Sequence, residues 1–196
     1  EMATSAIIHQ KRVLYVSLEM PNYRVAARFH TMLSAMISGK KNKTFPNMAL
    51  ETGNGLKIKQ YRSFLKDVSR KFTQGFYVVD NDVTGMAELE ALVYQFKPDV
   101  VFWDYLGIFT GGDSKNVAGW EAIGREASLA KRVAMKYNIP VVVAAQANRS
   151  GATDRDATPG LMQMARSYMI GQNADRVIGI RMHKPKEGSK PSAELD

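Results

Sequence analysis

Apolar and polar positions follow two periods along the chain, and the change from one to the other marks the elements. Met2 to Gln10 is small and apolar at helical spacing and runs almost directly into Arg12 to Glu19, a stretch of β-formers that predicts a strand. Pro21 stops that strand. From Asn22 to about Ser38, Val25, Ala26, Phe29, Leu33 and Met36 recur at three- or four-residue intervals, predicting a helix with these residues on its inward face. Residues 39–60, with their lysines, Pro46, Gly53 and Gly55, read as a mobile basic loop, and Tyr61 to Phe72 as a short helix.

The alternation then becomes regular. Gly75 to Val79 predicts a strand, Thr84 caps a helix reaching Gln95, and Val100 to Trp103 predicts a strand that ends at Asp104. Gly107 to Asn116 is a polar loop and Val117 to Tyr137 a long helix. Val141 to Ala145 is apolar at every position, as expected of a strand covered on both faces. Asn148 to Gly160 is another loop, Leu161 to about Ile170 a helix, and Val177 to Met182 a strand before a Lys-, Pro- and Gly-rich tail, 183–196, expected to be mobile. Strand and helix alternate from one end to the other. That order predicts an α/β fold, one domain over residues 1–196, with a mostly parallel sheet flanked by helices and ligands bound at the carboxyl ends of its strands.

Composition narrows the chemistry. The 196 residues are 45% hydrophobic and 23% charged, an ordinary globular balance. There is no Cys, which excludes disulfides, thiolate zinc sites and a Cys nucleophile. His9, His30 and His183 share no motif, so a histidine-built metal site is not expected and any metal would be held by oxygen. No apolar run approaches the roughly 18 residues that span a bilayer, and no signal peptide opens the sequence, so a cytoplasmic protein without a membrane partner is expected. The net charge is +8, positive over residues 1–72 and 131–196 and negative between them. Such blocks suit a polyanion such as nucleic acid, or an ordinary solvated surface.

Polar residues fall where strands end. Glu19 closes the first strand, Asp104 the third and Gln146 the fourth, so all three converge on one sheet edge. Asp104 follows an apolar run in the form of a Walker B segment, where a carboxylate holds Mg²⁺ beside nucleotide phosphates; a helix cap or a satisfied strand-end carboxylate has the same form. Glu19 could accept a proton from an attacking water, or satisfy the amino end of the helix that follows it. Gln146, with a donor and an acceptor, suits sensing of a γ-phosphate or a buried amide. Arg28 and Arg149 could neutralise phosphate oxygens or form surface ion pairs.

Taken together, Ser17-Leu-Glu-Met20, Arg28 nine positions after Glu19, Phe102-Trp-Asp-Tyr-Leu106, Ala145-Gln-Ala-Asn-Arg149 and Ala174-Asp-Arg-Val-Ile-Gly-Ile-Arg181 resemble, in order and spacing, the RecA-like motor domain of DnaB-type replicative helicases. The resemblance spans about residues 1–186. It implies a RecA-like P-loop NTPase core in a hexameric ring that hydrolyses ATP with Mg²⁺, translocates on single-stranded DNA with 5′–3′ polarity, and meets a primase or helicase loader. Carried over by position, Glu19 would be the catalytic base, Asp104 the Mg²⁺-linked carboxylate, Gln146 the γ-phosphate sensor, and Arg28 a phosphate-proximal group. Lys115, Arg149 through Arg155, and Arg166 with Ser167 would face DNA, and Lys184 and Lys186 would reach a neighbour's nucleotide.

The sequence departs from the family's pattern in three places. Ser167-Tyr168 stands where the family has a Glu-Ser pair, and the usual Lys-Gln-Arg near Lys184 is missing. No Gly-x-x-x-x-Gly-Lys-Ser/Thr occurs, although the family cradles phosphates with it. The expected explanation is that the sequence starts just past that loop. The other readings are a pseudo-ATPase scaffold that binds DNA or a partner without turnover, and a recombinase or loader ATPase.

Overall fold

The computed structural model describes residues 1–38, 44–80, 86–106, 119–145, 168–182 and 193–195. Seven helices and six strands lie within them: α1 (Met2–Ile8), β1 (Val13–Ser17), α2 (Asn22–Ser38), α3 (Asn47–Thr52), α4 (Ile58–Lys71), β2 (Phe76–Asp80), α5 (Met86–Phe96), β3 (Val100–Asp104), α6 (Gly119–Tyr137), β4 (Val141–Val143), α7 (Tyr168–Asn173), β5 (Ile180–Met182) and β6 (Ala193–Leu195).

Four strands form a parallel sheet in the order β2-β1-β3-β4, so β1 and β3 are its inner strands and their carboxyl ends lie on one edge. The two-residue period of a strand divides the side chains between its faces. Leu14 and Val16 of β1, with Val101 and Trp103 of β3, pack with Leu89 and Val93 of α5 and with Ala127, Ala130 and Val133 of α6. On the other face Val13, Val100 and Phe102 pack with Ala3 and Ile7 of α1 and with Val25 and Phe29 of α2. Because β1 and β3 are covered on both faces, nearly all their residues are apolar. An aromatic group fastens α4 to α2: the His30 ring meets Tyr61 at 5.7 Å, Phe45 meets Phe64 at 5.3 Å, and Nδ1 of His30 lies 2.6 Å from the Tyr61 hydroxyl.

The structure corrects the sequence reading in four places. Residues 47–52, expected in a loop, form α3, which ends where the backbone N–H of Gly53 donates to the Ala49 carbonyl at 2.9 Å with Gly53 at φ +77°. Met36, expected on the inward face of α2, is half-exposed, and Ser34 is buried instead. The cause is length: 17 helical residues span about 25 Å, while a five-residue strand spans about 17 Å, so the last turns of α2 pass the sheet. Val141 to Val143 are only half-buried, because β4 is an outermost strand of the four-stranded sheet among the described residues. Residues 180–182 do not extend that sheet; β5 pairs antiparallel with β6.

Candidate active site

The parallel register sets three polar residues in a row. Ser17 is the partner of Asp80 on one side and of Asp104 on the other. All three close their strands, and the alternation puts them on the sheet face covered by α1 and α2. Adjacent strands lie about 4.8 Å apart, which sets the backbones of Asp80 and Asp104 at roughly twice that spacing with Ser17 between them.

Ser17 is buried, and its hydroxyl both donates to the Met20 carbonyl at 2.7 Å and accepts the Met20 N–H at 3.2 Å. These bonds fold the chain sharply as it leaves β1, as serine hydroxyls do when they stand in for backbone partners. The Leu18 N–H donates to the Asp104 carbonyl at 2.9 Å, which anchors the corner to β3. Glu19 is the next residue, exposed at the apex. Beyond the corner the first N–H of α2, on Asn22, donates to Oδ2 of Asp80 at 2.6 Å. A carboxylate there satisfies a helix-terminal donor and complements the helix dipole.

Asp104 has a second anchor. The Tyr15 hydroxyl donates to its Oδ2 at 2.6 Å, in the range of a charge-assisted hydrogen bond. The Tyr15 ring is set by Phe29 edge-on at 5.5 Å and by Phe102 stacked at 6.3 Å. Burial drives the Tyr15 hydroxyl well above the ordinary tyrosine pKa, the bond to Asp104 and that carboxylate's charge push it further, and the positive charge of Arg28 opposes them. Arg28, exposed on α2, therefore acts electrostatically on the Tyr15 hydroxyl.

Of the residues singled out in the sequence, the fold brings Glu19 and Asp104 to one sheet edge, and Arg28 stands on α2 within electrostatic reach of Tyr15. Gln146, Arg149, Lys115, Arg155, Arg166, Ser167, Lys184 and Lys186 lie outside the described residues. The backbone leading to Gln146 is fixed nonetheless: the Ala144 N–H donates to the Trp103 carbonyl at 2.9 Å and the Leu106 N–H to the Ala144 carbonyl at 3.0 Å. Sequence reasoning does not single out Tyr15 or Asp80, and Ser17 enters it only as the first residue of the Ser17–Met20 motif. Each has the form of an ordinary strand residue, and only the pairing register shows that they meet.

The donor set is informative about a metal. Among the described residues no three His, Asp or Glu side chains come together to cage an ion. A single strand-end carboxylate with one oxygen already hydrogen-bonded, beside an exposed Glu19, suits a cation that takes most of its ligands from water and phosphate, as Mg²⁺ does. Nor is any helix among the described residues long and apolar enough to cross a membrane.

Comparison with known proteins bears on the family and the fold. The family described as the DnaB-like helicase C-terminal domain matches residues 1–195. The replicative DNA helicase DnaB of Leifsonia xyli subsp. xyli (strain CTCB07) is 27% identical over 194 residues, which are 96% of this chain and 40% of that protein. Among solved structures, one described as an ATPase domain superposes with a TM-score of 0.70 at 14% identity, covering 98% of this chain and 73% of that one. A DnaB-like replicative helicase, in a structure describing its interactions with primase, gives a TM-score of 0.66 at 15% identity over the whole of this chain and 50% of the other. At such identities the likeness is one of fold, the RecA-like arrangement of a parallel sheet between helices. The family match over residues 1–195, on the fold and strand-edge site described above, means that the chain belongs to the DnaB-like helicase C-terminal domain family.

Proposed function

We propose that this chain is the motor portion of a replicative helicase that hydrolyses ATP to move along single-stranded DNA and open the duplex. The observation that carries the reading is the peptide N–H of Leu18 bonded to the Asp104 carbonyl, which brings the backbone at Glu19, the next residue, to the end of the Asp104 strand. A general base and a phosphate-side carboxylate on one sheet edge are what phosphoryl transfer to water needs.

In this reading Glu19 orients the attacking water and takes its proton as the new bond to phosphorus forms. Asp104 would hold Mg²⁺, directly or through water. Bound there with the nucleotide, the cation supplies neutralisation of charge on the phosphate oxygens. Arg28 adds positive charge on the same side, from a helix whose start is fixed by Asp80. Gln146 would report the state of the γ-phosphate to the residues that follow it, and Arg149, Lys184 and Lys186 would meet phosphate oxygens of their own or a neighbouring subunit's nucleotide. Lys115, Arg155, Arg166 and Ser167 would contact the DNA backbone, in keeping with the +8 charge. A ring of subunits, a primase or loader partner and a cytoplasmic setting belong to the same proposal.

The test is ATP hydrolysis by the complete encoded protein, with and without single-stranded DNA, beside its Glu19→Gln form. DNA-stimulated turnover that falls at least about 100-fold in the variant while nucleotide binding is kept supports the motor. DNA binding without turnover in the unsubstituted protein would make it a non-hydrolysing scaffold.

A further inference from the structure

Asp104 is the residue on which the nucleotide reading depends most, and β3 alone does not fix its side chain. A carboxylate at a strand end rotates about two bonds, and each orientation offers different oxygens to solvent. What limits it here is a residue 89 positions earlier in the sequence: the Tyr15 hydroxyl, 2.6 Å from Oδ2. Tyr15 lies one pleat back from Ser17 on the neighbouring strand, which is the offset that lets a phenol reach diagonally to the strand end. Phe29 and Phe102 hold its ring from α2 and from β3. Two rigid surfaces therefore aim one donor at one carboxylate oxygen.

We propose that Tyr15 is a positioning residue for the phosphate site: by occupying Oδ2 of Asp104 it fixes the carboxylate in one orientation and leaves the other oxygen, Oδ1, to serve a nucleotide-bound divalent cation. This rests on the nucleotide-site reading of Asp104 above. Hydrogen bonds that orient a metal-binding carboxylate are worth a substantial part of its affinity, and removing such a partner commonly weakens metal binding roughly 10- to 100-fold. Tyr15 itself touches neither the nucleotide nor the cation in this account, and acts wholly through Asp104.

The experiment compares the complete encoded protein with its Tyr15→Phe form, which deletes one oxygen and keeps the ring that Phe29 and Phe102 pack against. Mn²⁺ binding in the presence of ADP is followed by electron paramagnetic resonance, and ADP binding without metal by calorimetry. The expected result is an Mn²⁺ half-saturation raised about tenfold in Tyr15→Phe, with metal-free ADP affinity unchanged. Leu89→Ala is the control: it opens a cavity on the opposite sheet face, leaves the hydroxyl and the ring packing around it in place, and should keep the unsubstituted metal requirement in the folded protein. A folded Tyr15→Phe protein with unchanged half-saturation overturns the inference, as does an equal rise in Leu89→Ala, since that would make the effect one of general destabilisation. A Tyr15→Phe chain that does not fold also overturns it. If the unsubstituted protein binds no Mn²⁺ with ADP, it is the nucleotide-site reading that fails.

Discussion

The backbone N–H of Asn22 donates to Oδ2 of Asp80, 58 residues away in sequence, at 2.6 Å. That bond ties the first turn of α2 to the end of β2 and closes the corner at whose apex Glu19 stands. Asp80→Ala removes the acceptor and leaves a helix-terminal N–H to water. Loss of such a cap costs about 1 kcal/mol. The urea midpoint should fall accordingly, and turnover in the complete protein should drop further than global stability explains, because α2 carries Arg28 and its start sets Glu19. Equal turnover in the two proteins would detach the cap from the site.

Leu89 of α5 is fully buried against β1 and β3, on the sheet face opposite the row of Ser17, Asp80 and Asp104. Leu89→Ala should destabilise the fold by about 3 kcal/mol, the sum of lost transfer energy and the cavity left behind. Chemical denaturation reads this directly. Nucleotide affinity in the folded fraction should be unchanged, since the cavity opens on the far side of the sheet.

His30 gives the fold a pH dependence. Burial disfavours its imidazolium and lowers its pKa below the unfolded value of 6.5. The neutral ring sits against Phe64 and accepts or donates at the Tyr61 hydroxyl, and Lys11 lines the same cavity. A proton therefore binds the unfolded chain more readily, so this contribution is complete above about pH 6.5 and is lost as pH falls from there through the lowered folded value. The slope is at most about 1.4 kcal/mol per pH unit, the worth of one differential proton. His30→Phe should flatten the stability profile below about pH 6.5, measured as the difference from the unsubstituted protein. A profile identical in the two would mean that His30 titrates alike in both states.

Much of this architecture is written in hydrophobic period. Val13 to Ser17 and Val100 to Asp104 are short apolar runs, as strands covered on both faces use. Asn22 to Ser38 carries its inward stripe at helical spacing and is legible at both ends. Asn47 to Thr52 is not, because a helical turn and a half buries only Ala49 and leaves no repeat to find. The separation of β5 from the parallel sheet is hidden too: its residues suit any strand, and the choice of partner lies in pairing rather than in composition.

The site divides in the same way. Glu19 and Asp104 can be named because a charge after an apolar run stands out. Asp80 has the same form, yet the apolar run before it closes at Val79 and the carboxylate looks like a boundary. Tyr15 gives no signal in one dimension and Ser17 none beyond its place in the Ser17–Met20 motif, since tyrosine is a common strand residue and serine a common turn residue. Their parts follow from the register Ser17↔Asp104, which no local pattern encodes.

Tyr15 and Asp104 are 89 residues apart, yet they meet across directly paired strands. A contact of that span is made only after a long stretch of chain has been closed into a loop, and topologies built on such contacts reach the native state slowly. During synthesis β1 leaves the ribosome long before β3 exists to pair with it, and at about 5–20 residues per second the interval lasts several seconds. Through that time Val13 to Ser17 is an apolar strand with one inner neighbour missing, so the same pairing that builds the site leaves the nascent chain open to aggregation until residue 104 has emerged.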